Sequence, residues 1–206
     1  MKKILLLVVL ALIGVAAWYY FETRPKPEVE TQQTQALVVS QYSDSFNTSV
    51  QNMLDHYYAL SEAFVNWDSA AVTSHAGQLQ QSFSNLALTE LQKDSMIYET
   101  AASYKEPFNK SIATIAGTNN LEQKRLAFNS LSQNLYDLLR TVRYDNQKIY
   151  VQQCPMAFND TETGTWLSKE EDIRNPYLGK HHPKYKAGML ECGEVKETLD
   201  FAAQRK

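Results

Sequence analysis

Val50-Gln51-Asn52-Met53-Leu54-Asp55-His56-Tyr57-Tyr58-Ala59-Leu60, running on through Phe64 to Trp67, is the stretch that decides the fold. Its apolar residues Val50, Leu54, Tyr57, Leu60, Phe64 and Trp67 are spaced 4, 3, 3, 4 and 3. That recurrence lays one stripe along an α-helix. A helix with such a stripe is stable when other helices cover it, so the flanking sequence should repeat the pattern.

It does. Asp68 suits an N-cap, and Val72, Ala76, Leu79, Phe83 and Leu86 form a second stripe. Thr89-Glu90-Leu91-Gln92 has the shape of a capping box. It opens a third stripe of Ile97, Ala101, Tyr104, Phe108, Ile112 and Ile115. Pro107 interrupts this stripe, but the period stays in phase on both sides, which predicts a kink rather than two unrelated helices. Gly117-Thr118-Asn119-Asn120 reads as a stop and restart, with Gly117 as C-cap and Asn120 as N-cap. Leu121, Phe128, Leu131, Leu135, Leu138 and Val142 make the fourth stripe. Four helices of roughly 18 to 27 residues with short connections predict an all-α fold, an antiparallel up-down-up-down four-helix bundle. It should span residues 44–145.

Beyond it the period changes. Ile149-Tyr150-Val151 is β-branched and aromatic and predicts a short extended piece. Thr161-Glu162-Thr163-Gly164 reads as a turn. Trp166-Leu167-Ser168, the acidic Glu170-Glu171-Asp172 and Asn175-Pro176-Tyr177-Leu178-Gly179 follow without a period. Residues 146–206 are therefore expected as a mostly irregular segment of the same domain, packed on the bundle. So much irregular chain needs packing, a disulfide or a metal to order it.

Before the bundle, Met1-Lys2-Lys3 precedes a run of uncharged, mostly apolar residues from Ile4 to Phe21. As a helix the run would be roughly 27 Å long, near the thickness of a bilayer core. Two readings fit residues 1–21. Trp18-Tyr19-Tyr20-Phe21 suits the interfacial aromatics of an uncleaved N-terminal membrane helix, while Val15-Ala16-Ala17 suits a cleaved signal peptide. Either one sends the remaining chain out of the cytoplasm. Residues 22–43, with Pro25, Pro27 and Thr31-Gln32-Gln33-Thr34-Gln35, read as a linker.

Hydrophobic residues make up 44% of the chain and charged ones 21%, so a packed domain is expected rather than a disordered one. Removing Lys2 and Lys3 leaves 18 basic and 23 acidic side chains after residue 21, a net charge of −5. That balance offers no basic face for phosphates, so no nucleic-acid partner is expected. Gly-rich phosphate loops, Gly-x-Ser-x-Gly and His-Glu-x-x-His are all absent from the sequence, and the chain is not read as an enzyme.

The chemistry sits in the C-terminal segment. It carries both cysteines and two of the five methionines, as Cys154-Pro155-Met156 and Met189-Leu190-Glu191-Cys192. Pro155 favours an extended Cys154, which would turn the Cys154 and Met156 side chains to one side. Met189 and Cys192, three apart, would share one face of a turn. Two thiolates and two thioethers make a soft donor set suited to Cu(I) or a similar soft metal ion. The alternative is a Cys154–Cys192 disulfide, ordinary outside the cytoplasm. His181 and His182 are candidate auxiliary ligands, although adjacent side chains diverge and do not easily hold one ion together.

The elements Cys154-Pro155-Met156, Gly164-x-Trp166-Leu167-Ser168, Ile173-x-Asn175-Pro176-Tyr177-x-Gly179 and Met189-x-x-Cys192-Gly193 together resemble a known family. It is the functionally uncharacterised bacterial periplasmic domain that also occurs appended to adaptor subunits of copper/silver efflux pumps. Gln123-Lys124-Arg125-Leu126-Ala127-Phe128-Asn129-Ser130-Leu131-Ser132 is similar to its pattern too. The resemblance covers roughly residues 50–200. His181 through Ala187 intervene where the family runs almost directly into Met-x-x-Cys-Gly, so the two histidines do not carry over as family ligands. The resemblance implies a periplasmic setting, with the N-terminal helix in the inner membrane if uncleaved, and a part in heavy-metal efflux or homeostasis. A non-catalytic, disulfide-closed helical interaction module of the cell envelope is the alternative expectation.

Overall fold

The periodic stretches become helices in the computed structural model, which describes residues 18–20 and 40–204. Helix α1 is Asp44–Val65, capped by Ser43, whose Oγ accepts from the Phe46 N–H at 3.2 Å. Val50, Leu54, Tyr57, Leu60 and Phe64 are all buried on it. Trp67 then takes a positive φ of 59°, and Asp68 caps α2, Ser69–Ser84, by accepting from the Ala71 N–H at 2.9 Å.

The third stripe starts later than the capping box suggested. Leu88–Lys93 is a 3-10 turn, and α3, Ser95–Ser103, is capped by Asp94, which accepts from the Met96 and Ile97 N–H groups at 3.1 Å. Glu90 accepts instead from the Ser43 N–H at 2.8 Å, tying this turn to the start of α1. The helix breaks at Tyr104 and resumes as α4, Lys105–Gly117. Pro107 lies in the first turn of α4, where its missing N–H ends the preceding ladder. Asn120 then caps α5, Leu121–Val142, accepting from the Glu122 and Gln123 N–H groups. Arg143 closes α5 in the left-handed region, φ 49°.

Helix α1 lies along α2, α2 along α4 and α4 along α5. Aromatic side chains fill the centre. Tyr57 and Phe128 stack at 5.4 Å between α1 and α5, and Phe83 and Phe108 at 3.8 Å between α2 and α4. The Tyr57 and Ser132 hydroxyls share a buried 2.7 Å hydrogen bond.

The expected all-α class with an irregular C-terminal segment is overturned. That segment carries a three-stranded antiparallel sheet of β1 Ile149–Phe158, β2 Glu162–Ser168 and β3 Glu194–Leu199, in the order β2-β1-β3. Asn159, Asp160 and Thr161 connect β1 to β2, with φ of 51° and 60° at the first two and the Thr161 N–H donating to the Phe158 carbonyl at 3.1 Å. The turn thus ends at Thr161, and Gly164 lies inside a strand. A Cβ on Gly164 would sit 2.6 Å from the Tyr177 ring and from the Ala157 Cβ, so the strand needs glycine for close approach rather than for turning.

Neither face of β1 alternates cleanly because both are covered. Val151 and Gln152 are consecutive and both buried, with an irregularity in the β1–β3 register between them. Gln152 donates its side-chain amide to the carbonyls of Glu170, Glu171 and Asp172 at 3.0 to 3.2 Å, while its Oε1 is buried without a partner. The outer edge of β2 is turned to the bundle. There the Thr165 N–H donates to Asn129 Oδ1 at 2.9 Å and the Leu167 N–H to the Tyr57 hydroxyl at 3.0 Å. Side chains of α5 and α1 thereby cap strand amides that would otherwise be open to another chain.

Residues 39–206 form one compact unit, which includes bundle and sheet. The N-terminal membrane helix and the linker expected before residue 43 lie outside the described residues, apart from 18–20, which are helical, and 40–43. Among the described residues no helix is long and apolar enough to cross a membrane.

Candidate functional site

The sheet brings the two cysteines together. Cys154 lies on the central strand opposite Gly164 and is fully buried. The last β1–β3 pair is Gln153 with Glu194, so Cys192 stands two residues before that rung and the chain passes over β1 there. Gly193 makes the crossing. It has a φ of 146°, and a Cβ on it would lie 2.7 Å from the Gln153 carbonyl oxygen and 3.0 Å from Trp166. Only glycine allows that approach. The Cys154 and Cys192 sulfurs end 2.6 Å apart.

Asn175 fixes the other side of this arrangement. Its side-chain oxygen accepts from the Tyr177 and Leu178 N–H groups at 2.8 and 3.0 Å, ordering the Asn-Pro-Tyr turn. Its amide donates to the Cys192 carbonyl at 2.8 Å, and its backbone N–H donates to the Leu190 carbonyl at 2.8 Å. A single buried side chain therefore ties the 175–178 turn to the 189–192 turn. Gly179 anchors the next step, its φ of 55° fitting against the Val65 carbonyl and Trp67. Trp67 in turn donates its indole N–H to the Leu178 carbonyl at 3.0 Å. In sequence Asn175 and Gly193 appear only as parts of the family-like motifs, and Gly164 as part of one and of an expected turn. Asn-Pro-Tyr and Cys-Gly were the available signals, an Asx turn and a backbone contact respectively.

The electrostatics hold the reduced Cys192 thiol in its neutral form. Burial pushes the Cys192 thiol up to about 12, and the hydrogen bond and charge of Cys154 add to the shift. Thiolate nucleophiles need the opposite shift. Among the described residues each thiol's only hydrogen-bonding partner is the other.

Met156 and Met189 are both half-buried against the core. Met156 follows Cys154 in a stretch where the β1–β2 register shifts, which also accommodates Pro155 within a strand. Met189 opens the turn whose carbonyl accepts from the Cys192 N–H at 3.1 Å. His181 is exposed. His182 stacks on Tyr185 at 5.1 Å and meets Trp67 edge-on, while its Nδ1 accepts from the Lys184 and Tyr185 N–H groups at 3.3 Å. Burial, and then Arg125, hold the His182 pKa below its ordinary value. Among the described residues no three His, Cys, Asp or Glu side chains converge as a metal site.

Residues 53–147 match the model of a family described as a protein of unknown function, DUF3347. The DUF3347 match begins in α1 and ends just before β1, so it covers the helical part of the chain and stops short of the cysteines. No curated protein matches the chain, and no solved structure does.

Proposed function

We propose that the chain is a non-catalytic interaction module of the cell envelope whose central strand β1 is locked to the 189–192 turn by a Cys154–Cys192 disulfide. The observation that carries this reading is the 2.6 Å approach of the two sulfurs in a buried setting held by Asn175 and Gly193. A tetrahedral ion with thiolate bonds of about 2.3 Å would hold two sulfurs ~3.8 Å apart, and a linear one further still. The pair as arranged thus suits a covalent bond better than a shared ion. Export is supported by the charged start and apolar run of residues 1–21. Service to a copper or silver efflux system is supported by the resemblance of the 123–193 motifs to domains appended to such adaptors.

Soft-metal binding is the second reading, and two half-buried thioethers close in sequence to the pair, Met156 and Met189, favour it. In it, reduction and a small separation of the two turns let Cu(I) enter. Mass spectrometry of the intact chain from its native compartment tests both. A mass two hydrogens below the reduced chain, with no metal retained after reduction and Cu(I) loading, is expected for the disulfide module. A stoichiometric ion whose affinity drops in Cys154→Ser would overturn it in favour of the metal site.

A further inference from the structure

Away from the cysteine pair, α5 carries a buried cation without a counter-ion. Arg125 is only 7% exposed. Its guanidinium lies 3.9 Å over the Trp67 ring, and its Nε donates to the Pro176 carbonyl at 3.4 Å. Its Nη2 is fully buried and has no partner, and none of the described carboxylates forms an ion pair with it. Burial pulls its pKa down to about 10, which leaves it charged at neutral pH. A buried charge held by one long neutral hydrogen bond and one ring face is expensive, and an apolar residue would fill the space more cheaply. The arrangement makes sense if an anion completes it.

The space for one is present. A groove of about 670 Å³ is lined by Trp67, Asn120, Arg125, Phe158, Tyr177 and His182, among others. That is within the usual range for small-molecule sites, ~300 to 1,000 Å³. The first turn of α5 borders it and adds the partial positive charge of a helix N-terminus.

The surrounding charges narrow the ligand. Among the described residues that line the groove, Arg125 is the one permanent cation, and its buried Nη2 has no partner. Lys184, near the rim, is engaged by Asp160, and His182 is held toward its neutral form. Glu122 and Asp160 line the rim and would repel a dianion. A planar guanidinium fork whose Nη2 has no partner suits a carboxylate taken side-on. Phe158, Ala157 and Pro183 offer apolar surface beyond it. We infer that this groove binds a small organic monocarboxylate, its carboxylate on Arg125 and its apolar body along Phe158.

Calorimetric titration of the full chain with benzoate, benzamide and inorganic phosphate tests this. Benzoate should bind saturably at one site, with benzamide and phosphate at least tenfold weaker. Arg125→Lys should weaken benzoate about tenfold, because a point charge replaces the fork. Glu122→Gln changes an exposed side chain at the rim, leaves the fold intact, and should tighten benzoate two- to threefold by removing a like charge. That variant decides the matter even where the Arg125 substitution unfolds the chain. No saturable benzoate binding, phosphate binding as tightly as benzoate, or no gain from Glu122→Gln would each overturn the assignment.

Discussion

Replacing Cys192 with serine removes one sulfur from a half-buried position and leaves the surrounding turn its backbone hydrogen bonds to Asn175. If the two cysteines are joined, the bond closes a loop of 38 positions. Chain-entropy arithmetic for such a loop gives about 4 kcal/mol of stabilisation. For a unit of this size each kcal/mol moves the unfolding midpoint by roughly 2 to 4 °C, so the oxidised wild type should melt about 8 to 16 °C above Cys192→Ser. The control lies in the reductant. In excess dithiothreitol the wild type should fall to the level of Cys192→Ser, within about 0.5 kcal/mol, since the serine adds little at a partly exposed site. Cys154→Ser should fall further under the same conditions, by about 1 to 2 kcal/mol, because its hydroxyl is buried on the central strand with a single candidate partner. Calorimetric melts with and without reductant, paired with a thiol count on the denatured protein, read all of this. Two free thiols in protein taken from its native compartment, with a midpoint indifferent to reductant, would refute the reasoning.

Two glycine substitutions should act with opposite signs. Gly164→Ala drives a Cβ into Tyr177 and Ala157 and should cost about 1 to 3 kcal/mol in denaturant melts. Gly77→Ala in α2, where nothing lies within 4 Å, should gain about 0.5 to 1 kcal/mol. Asn175→Ala removes the side-chain bonds to Tyr177, Leu178 and Cys192 and should destabilise by about 2 to 4 kcal/mol. The same variant should slow reoxidation of the cysteine pair after reduction, followed by the loss of free thiols. Glu62 gives a pH signature. Burial pushes its pKa up, but the hydrogen bond and charge of Arg174, with Asn66 and Lys180, pull it below 4.5 overall. A lowered folded-state pKa contributes stability above the unfolded value and loses it as pH falls through the folded value. Arg174→Gln should therefore raise the Glu62 pKa, read by carboxyl NMR shifts, and flatten the loss of stability on the acid side of pH 4.5.

The helices were legible because each buries one stripe and exposes the rest, and a one-sided element writes its period into the sequence. Val50 through Phe64 and Phe128 through Val142 are of this kind. Of the sheet only the opening of β1, Ile149-Tyr150-Val151, was legible, and the rest was hidden for the converse reason. β1 is covered on both sides, so Val151, Gln152 and Cys154 are buried together and no period of two survives. Polar Gln152 and Pro155 look wrong for a strand until their surroundings are known. The glutamine satisfies carbonyls of the 170–172 loop, and the proline falls where the β1–β2 register shifts and pairing with β3 has ended. β3 does alternate, with Val195, Glu197 and Leu199 less exposed than Glu194, Lys196 and Thr198, but four of its six residues are polar and hide the pattern. The meeting of Cys154 and Cys192 depends on that unread sheet. It was inferable only from donor chemistry, because two cysteines in one segment suit either a disulfide or a shared soft ion. The groove at Arg125 shows the limit of that approach. An arginine beside a helix stripe looks like a solvated flank in sequence, and only the fold shows that its neighbours along the chain, Lys124 and Phe128, are buried with it. Lys124 resolves its burial by donating to Thr73 at 2.7 Å. Arg125 has no such partner, and so a residue unremarkable in sequence becomes the strongest pointer to a ligand in the folded chain.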